Sequence, residues 1–424
     1  MRTCTTEVLI VGAGPAGLAA AQAAAGQGCR VMLIDDNPAV GGQIWRAGPL
    51  ARQSSAVLRF KAMLDQHDVT ALTGARVVAA PAANVLLVET THDSIRVNYR
   101  RLVLCTGARE LLLPFPGWTL PGVTGIGGLQ ALIKSGYDLR GQRAVLAGSG
   151  PLLLATARTL RQTGMQVLRI VEQAPWQRLA RFAAGLWRWP GKARQSLILA
   201  STRYRCATHV SEALGDTRLE AVRLQTSSGR CRTMSCDWLG CGFGLVPNNE
   251  LGRLLGCELR GDALAVDELQ NTSQPDILAA GECSGIGGCE LALAEGRLAG
   301  LQAAASAGNR ANARRDRARW RVFAKALERT FVLDEAVRNL AAPDTIICRC
   351  EDVTRQTLDA EADWTTAKLV SRCGMGACQG RICGPATRYL YCWQRSAPRP
   401  PLLPARIDTL SAERVPASAS EASQ

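Results

Sequence analysis

The stretch EVLIVGAGPAGLAAAQAAAGQGCRVMLIDD (7–36) constrains the fold of this chain more than any other. EVLIVG is a short unbroken apolar run, the pattern of a strand buried on both faces. Glycines follow at Gly12, Gly14 and Gly17. An alanine-rich helical segment opens at Pro15-Ala16, turns at Gly26–Gly28 and leads to a second strand, RVMLI, closed by Asp35 and Asp36. Each part has a job in holding a dinucleotide. Gly12 permits the tight turn, Gly14 lets the backbone approach a pyrophosphate, and Gly17 lets helix and strand pack closely. The helix N-terminus offers N–H groups and a positive dipole end, and Asp35 can accept from the adenosine ribose hydroxyls.

The loop alone does not choose between FAD and NAD. Three distant pieces favour FAD. Gly41-Gly42-Gln43 follows the second strand, placed to run along a flavin. RLVLCTGARELLLPFPG (101–117) is a strand ending in Thr106-Gly107, like the crossing where flavoprotein chains pass between domains. DILAAGECSGIGGCELALAEGRLAG (276–300) is a strand, the pair Gly281-Glu282, and a helix opened by glycines up to Gly288. That helix would set its positive end against the electron-rich end of a reduced isoalloxazine. In this order the pieces resemble the glutathione-reductase-like flavoproteins, an α/β fold with two dinucleotide-binding domains, over about residues 1–310. That family usually has aspartate where Glu282 stands.

A second glycine loop, GQRAVLAGSGPLLLATARTLRQTGMQVLRIVEQ (141–173), repeats the plan with Gly148 and Gly150, and Glu172 ends its second strand. Its third glycine position is Leu153, which is expected to push helix from strand and reshape the pocket. The unit reads as scaffold, as a site for an adenine nucleotide, or as an NAD(P)H site. No redox Cys-x-x-Cys pair accompanies the flavin-like elements. The cysteines near those elements are Cys105, Cys283 and Cys289, and Cys283 and Cys289 read as core-filling thiols rather than a redox couple.

The chain has 424 residues, 47% of them hydrophobic, enough for more than one domain. It shows neither a secretory signal nor an apolar run of transmembrane length. Sixteen cysteines without a targeting segment point to a reducing compartment, and to buried thiols or metal ligands before disulfides. Net charge is +14, and much of the arginine sits in NARRDRARWR (312–321). No nucleic-acid-binding module accompanies it, so it reads as a solvated helix face or a patch for an acidic partner. His67, His92 and His209 lie in no motif, which argues against histidine acid–base catalysis.

CRCEDVTRQTL (348–358) and SRCGMGACQGRICGP (371–385) carry five cysteines and no histidine. That suggests all-thiolate ligation. A structural zinc usually takes knuckles with two to four residues inside each pair, and Cys348-Arg349-Cys350 leaves one. A 2Fe–2S cluster accepts that spacing more readily, and the glycines let N–H groups turn toward the sulfur atoms. Metal-free reduced thiols are the third reading. The stretch resembles the bacterioferritin-associated-ferredoxin-like 2Fe–2S domain in its CRCE…GMGxCQGRxC variant. The resemblance implies Cys348, Cys350, Cys378 and Cys383 as ligands and leaves Cys373 as a neighbouring thiol, with a swap between Cys373 and Cys378 open from spacing.

VGAGPAGLAAA, DNPAVGGQIW, LPFPGWTLPGV, AGSGPLLL, GFGLVPNNEL, GECSGIGG, CRCEDV, GMGACQGRICGP and PPLLPARIDTL span most of 7–410. Together they resemble the α (A) subunit of heteromeric amino- and imino-acid dehydrogenases: opine oxidases or dehydrogenases, D-hydroxyproline dehydrogenase and hydrogen cyanide synthase. Sarcosine oxidase's large subunit shares the modules. The resemblance implies an electron-transfer subunit in a hetero-oligomer. Its partner is an FAD-containing β subunit of glycine/D-amino-acid-oxidase type that oxidises the substrate, and a small γ subunit is allowed. Some members carry FMN at the subunit boundary and an adenine nucleotide in the second unit. The implied location is cytoplasmic, with room for a peripheral electron acceptor on the inner face of the membrane. No catalytic acid–base or nucleophile set is expected in this chain.

The expected organisation is an FAD-binding domain in two parts (1–115 and 246–310) around an inserted Rossmann-like domain (116–245). A basic helical connection (311–345), a 2Fe–2S domain (346–395) and an extended, then disordered, tail (396–424) follow. Two other classes compete with the electron-transfer subunit. One is a self-contained NAD(P)H-dependent FAD/iron–sulfur reductase, which Leu153 opposes; the other is a metal-handling module with a vestigial flavin.

Overall fold

A computed structural model describes residues 1–45, 54–306 and 310–411. The chain starts with β1 (Arg2–Val11), α1 (Pro15–Ala25) and β2 (Val31–Asp35), followed by α2 (Gly42–Trp45), α3 (Ser55–Leu64) and β3 (Val69–Thr73). β4 (Arg76–Ala82), β5 (Val85–Glu89) and the long β6 (Ser94–Leu104) complete a first sheet of order β3-β2-β1-β6-β5-β4. β1, β2, β3 and β6 are parallel, and β1 and β2 are apolar runs because both sheet faces are covered.

β7 (Ala108–Glu110) leads out to a second parallel sheet of β8 (Val123–Gly125), β9 (Arg143–Gly148), β10 (Gln166–Glu172), β11 (Tyr204–Arg205) and β15 (Trp238–Gly242). Helices α4 (Ile126–Lys134), α5 (Leu152–Gln162), α6 (Trp176–Gly185) and α7 (Pro190–Leu199) connect its first half. An antiparallel layer, β12 (Thr208–Leu214), β13 (Ala221–Thr226) and β14 (Cys231–Ser235), precedes β15. β16 (Leu245–Pro247) returns the chain and pairs antiparallel with β7, Arg109 opposite Val246. The crossing expected from CTGARE therefore runs side by side with the returning segment GFGLVPNN.

The chain then rejoins the first sheet. After α8 (Glu250–Leu254) and a small hairpin, β17 (Leu259–Arg260) and β18 (Ala263–Leu264), β19 (Ile277–Ala279) pairs parallel with β6. Helix α9 (Cys289–Ala303) lies on α1, and α10 (Arg310–Thr330) lies on α9. The last unit holds α11 (Glu335–Arg338), β20 (Ile346–Cys348), β21 (Val353–Thr354), α12 (Arg355–Asp359), α13 (Trp364–Ser371) and α14 (Cys383–Tyr391). Its core gathers Ile347, Leu358, Trp364, Ala386 and Trp393 around three cysteines.

Helix α10 keeps the solvated face expected of its arginine run at Arg314, Arg315 and Arg319 and departs from it at Arg317. Ala313, Arg317 and Phe323 are buried, Ala313 on Leu298 and Leu301 of α9 and Phe323 on Leu186 and Trp189. The Arg317 Nη atoms donate to the carbonyls of Asp267 and Glu268, and its Nε lies 3.7 Å from Glu295. The period of the run is helical, but Arg317 turns inward to a buried carboxylate.

Residues 392–406 carry no helix or strand before α15 (Ile407–Ser411), and residues 412–424, where the disordered end of the tail was expected, lie outside the described residues. Leu402 N–H donates to Val78 O (2.7 Å) at the edge strand β4. Buried Glu89 accepts from Arg406 N–H (2.8 Å) and the Thr409 hydroxyl (2.9 Å) and pairs with Arg76 (2.6 Å). Burial alone would raise its pKa. The Arg406 N–H, with Arg76 and Thr409, outweighs burial and holds it below the ordinary glutamate value. A depressed carboxylate stabilises the fold above its unfolded value of about 4.3, and that contribution disappears as pH falls through the folded value. Amide exchange across 402–410 is therefore expected to rise below about pH 4.3, and Glu89→Gln should bring the same loosening at neutral pH.

Candidate functional site

Helix α1 starts at the first glycine loop with Gly14 as N-cap, no capping side chain and Pro15 in its first turn. Its leading N–H groups are thus left for a ligand. A Cβ on Gly12 would stand 2.1 Å from Cys105 O, and one on Gly17 would stand 1.7 Å from Gly12 O. Those two glycines serve packing. A Cβ on Gly14 would meet only Gly42 Cα, at 3.9 Å, and at Gly107 and Gly288 it would meet nothing within 4 Å. These three face open space, a cradle that side chains would fill. Asp35 closes β2 and is buried; its Oδ2 accepts from Ala13 N–H (2.5 Å) and its Oδ1 from Asn37 N–H (2.8 Å). Asp36 and Gln43 are exposed beside it.

The far end of the cradle comes from β19 and α9. Gly281 packs on Ala16, where a Cβ would be 2.7 Å from the alanine methyl. Glu282 opens a single helical turn, and burial raises its pKa against the N–H of Gly288. Gly288, at φ +84°, caps α9 without a side chain. Both helices whose N-termini face the cradle are locked together: a Cβ on Gly296 would lie 2.1 Å from Ala16 O, and one on Gly300 2.3 Å from Ala20 O. Thr106 Oγ1 donates to Asn248 O (2.6 Å) on the returning crossing. Cys283 is wholly buried and Cys289 half-buried; burial raises them to about 11 and about 12, so both stay neutral thiols. That suits packing and leaves no nucleophile there.

The second loop is built differently. Leu153 is fully buried, its Cδ2 3.3 Å from where a Cβ on Gly242 would sit, so the missing side chain at 242 makes room for it. Glu172 is fully buried and accepts from Gly150 N–H (2.7 Å), Ala174 N–H (3.0 Å) and the Ser149 hydroxyl (2.8 Å). Residues 331–334 cross the ends of β9 and β10. Ser149 Oγ is 3.1 Å from Phe331 O, and Gln173 donates to Val332 O and accepts from Asp334 N–H, both at 2.8 Å. Arg178 pairs with Asp334. This strap over the ends of β9 and β10 carries no motif and was not legible in the sequence.

In the cysteine unit, the sulfur atoms of Cys348, Cys373 and Cys383 lie within 4.8 Å of one another, all buried. The motif had left Cys373 outside the ligand set; the fold puts it in contact with two members of that set. Cys350, exposed, and Cys378, half-buried, hydrogen-bond to each other. Hydrogen bonds from Cys373 and Cys383, then from the N–H groups of Gly374 and Glu351, push the Cys348 thiol far down. Cys348 in turn pushes Cys373 up to about 12, and Cys383 also up. Several thiols competing for one negative charge, with backbone donors aimed at sulfur, form a donor set that fits a thiophilic metal centre. A Cβ on Gly376 would lie 2.3 Å from Cys350 Cβ, so that glycine is needed for the loop to close over the pair.

Trp118 and Arg109 help dock this unit on the rest. Trp118 Nε1 donates to Ile346 O (2.7 Å), with the Arg349 guanidinium 5.5 Å from its ring. Arg109, on the outgoing crossing, reaches Arg381 O (3.2 Å), between Cys378 and Cys383.

The comparisons agree with this geometry. The chain is 34% identical to hydrogen cyanide synthase subunit HcnB of Pseudomonas aeruginosa, across 88% of its own length and 90% of that protein. It is 32% identical to the A-subunit of opine oxidase from Rhizobium meliloti, across 89% of its length and 90% of that protein. Among solved structures, L-proline dehydrogenase from P. horikoshii matches with a TM-score of 0.68 at 18% identity, covering 96% of this chain and 80% of that one. Thioredoxin reductase from T. acidophilum matches with a TM-score of 0.55 at 21% identity, covering 71% and 98%. At such identities the likeness concerns the fold, an α/β flavoprotein fold with two dinucleotide-binding domains. The pyridine nucleotide-disulphide oxidoreductase model matches residues 6–308, from the first strand through both glycine loops and α9. With that match and the two relatives over most of its length, the chain is an oxidoreductase of the pyridine nucleotide-disulphide oxidoreductase family.

Proposed function

We propose that this chain is the electron-transfer subunit of a heteromeric amino- or imino-acid dehydrogenase, holding FAD and a 2Fe–2S cluster. One observation carries the reading: a flavin cradle and a buried thiol group occur in one chain, and the thiol unit is docked on the strand that leaves the cradle. Similarity to HcnB and to the opine oxidase A-subunit, each named as part of a larger enzyme, supports a hetero-oligomer. The partner is a second flavoprotein, of glycine/D-amino-acid-oxidase type, that oxidises the amine.

FAD would lie along Gly12, Gly14, Gly42, Thr106 and Gly107, with Asp35 at its adenosine ribose and Glu282 and Gly288 at its far end. The cluster would be held by Cys348, Cys350, Cys378 and Cys383, with Cys373 as a sulfur neighbour. Bound there, FAD accepts electrons in pairs and releases them singly, and a 2Fe–2S centre takes one at a time. This chain's residues position the groups and exclude water. The helix N-termini at Gly14 and Gly288 offset negative charge, and buried Cys105 and Cys283 keep the cradle wall apolar.

The test is purification under anaerobic conditions with the partner, followed by flavin, iron and acid-labile sulfide analysis and an amine and amino-acid substrate screen. About two irons and two sulfides per chain are expected. Zinc, or no metal, would sink the cluster; colourless protein would sink the flavin.

A self-contained NAD(P)H reductase is the second reading, and the strap over Ser149 and Gln173 speaks against it. Anaerobic mixing of the isolated chain with NADH or NADPH is expected to leave the flavin band unbleached over minutes. Bleaching within a second would reverse the order of the two readings.

A further inference from the structure

The strand that leaves the flavin cradle and the loop that carries Cys378 and Cys383 meet at one side chain. Arg109 lies three residues after Thr106, 272 residues from its partner Arg381. Its guanidinium serves three acceptors on two segments, 248–250 and the loop at Arg381. Nε donates to Arg381 O (3.2 Å), Nη1 to Asn248 Oδ1 (2.7 Å), and Nη2 pairs with Glu250 Oε1 (2.9 Å). The acceptors are themselves fixed. Asn248 Nδ2 donates to Thr106 O (2.9 Å), and Asn248 N–H to Gly107 O (2.9 Å). On the other side, Arg381 N–H donates to Cys378 O (3.0 Å), so the bonded carbonyl belongs to a turn closed on a cysteine.

We infer that Arg109 is a positioning residue that fastens the Cys378–Cys383 loop to the flavin-facing crossing and so fixes the separation of the two centres. The inference rests on the flavin and cluster reading above. Nothing else among the described residues joins Thr106-Gly107 to that loop through one side chain. A planar fork suits the joint because it reaches Asn248 and Glu250 on one segment and Arg381 on the other at once; an ammonium is a point charge that can satisfy Glu250 while leaving Asn248 and Arg381 unserved. Its neighbours bear on the same joint. Arg253 donates to Arg395 O (2.7 Å) and Arg388 pairs with Asp262 (2.6 Å), so the unit stays attached when Arg109 is lost. Removing Arg109 therefore loosens the loop without releasing the unit.

The experiment uses the full chain as Arg109→Met and Arg109→Lys, beside Arg223→Met, which breaks the pair with Glu212 on the distant antiparallel layer. Four quantities are read: bound iron and flavin, amide exchange across 374–384, the cluster potential, and the rate at which an electron placed on the flavin by a light pulse reaches the iron. Arg109→Met is expected to keep both contents, raise exchange across 374–384 by about tenfold, and slow transfer by about tenfold. Arg109→Lys should keep the fold and contents yet recover neither exchange nor rate, and Arg223→Met should match the parent in all four. Exchange and rate within about twofold of the parent in both Arg109 variants would overturn the inference. Should Arg109→Met fail to fold, Arg109→Lys decides by the same readings. Parent protein without iron would end the cluster reading, and the exchange comparison would still decide whether Arg109 fastens the loop.

Discussion

Cys383→Ser is expected to strip iron and labile sulfide from the chain while leaving its flavin in place. Cys383 is the first residue of α14, is 1% exposed, and touches both Cys348 and Cys373. A hydroxyl is a poor ligand for iron that prefers soft sulfur, and the helix start fixes its position, so no rotation brings another atom to the place. Metal binding is also folding free energy for so small a unit. Amide exchange across 346–393 should therefore rise together with the iron loss. The glycine loops lie on other strands, so flavin content should hold. Cys348→Ser should behave alike. Cys373→Ala separates the two assignments of the fifth thiol. As a neighbour that donates to Cys348, its loss should keep the iron and lower the cluster potential, because one hydrogen bond to sulfur disappears. Iron loss equal to that of Cys383→Ser would make Cys373 a ligand and displace Cys350 or Cys378.

Local chemistry was legible in the sequence, and long-range contact was not. The first glycine loop declares itself because turn, helix start and closing acid fall within thirty residues, and the outgoing crossing because it is a strand ending in Thr106-Gly107. Leu153 was legible as a departure, but the space that admits it, the absent side chain of Gly242, lies 89 residues away. Arg317 reads as one more charge in a basic run, since nothing near it announces the buried Glu295 on α9. Cys373 was left outside the ligand set by the resemblance, with spacing undecided, yet the fold brings it onto Cys348 and Cys383. The strap at 331–334 uses backbone carbonyls, which carry no residue signature at all. Arg109 sits inside a quoted crossing and was passed over for the same reason: its partner at Arg381 is a carbonyl.

Gly296→Leu is expected to cost about 3 kcal/mol or more and to empty the flavin cradle. The physical reason is where the new atoms would go. Helices α1 and α9 touch backbone to backbone, and a Cβ at 296 would stand 2.1 Å from Ala16 O and 2.8 Å from Ala16 Cα. No side-chain rotation relieves a clash with backbone, so one helix must move. Ala16 directly follows Pro15 in the first turn of α1, and Gly281 packs on its methyl, so any movement shifts Gly12 and Gly14 against Glu282 and Gly288. Overpacking in this place therefore acts on binding as well as stability. Calorimetry should show the melting temperature falling by about 3–4 °C or more, with flavin content below half of the parent's. Gly296→Ala should lie between, since a single methyl meets the same carbonyl with less to place. Gly191→Ala is the contrast: a Cβ there meets nothing within 4 Å, so the substitution should be neutral or slightly stabilising through helix propensity. A yellow Gly296→Leu protein with an unchanged melting temperature would mean that α1 and α9 do not meet this closely, and the common origin of the two helix N-termini at the cradle would have to be abandoned.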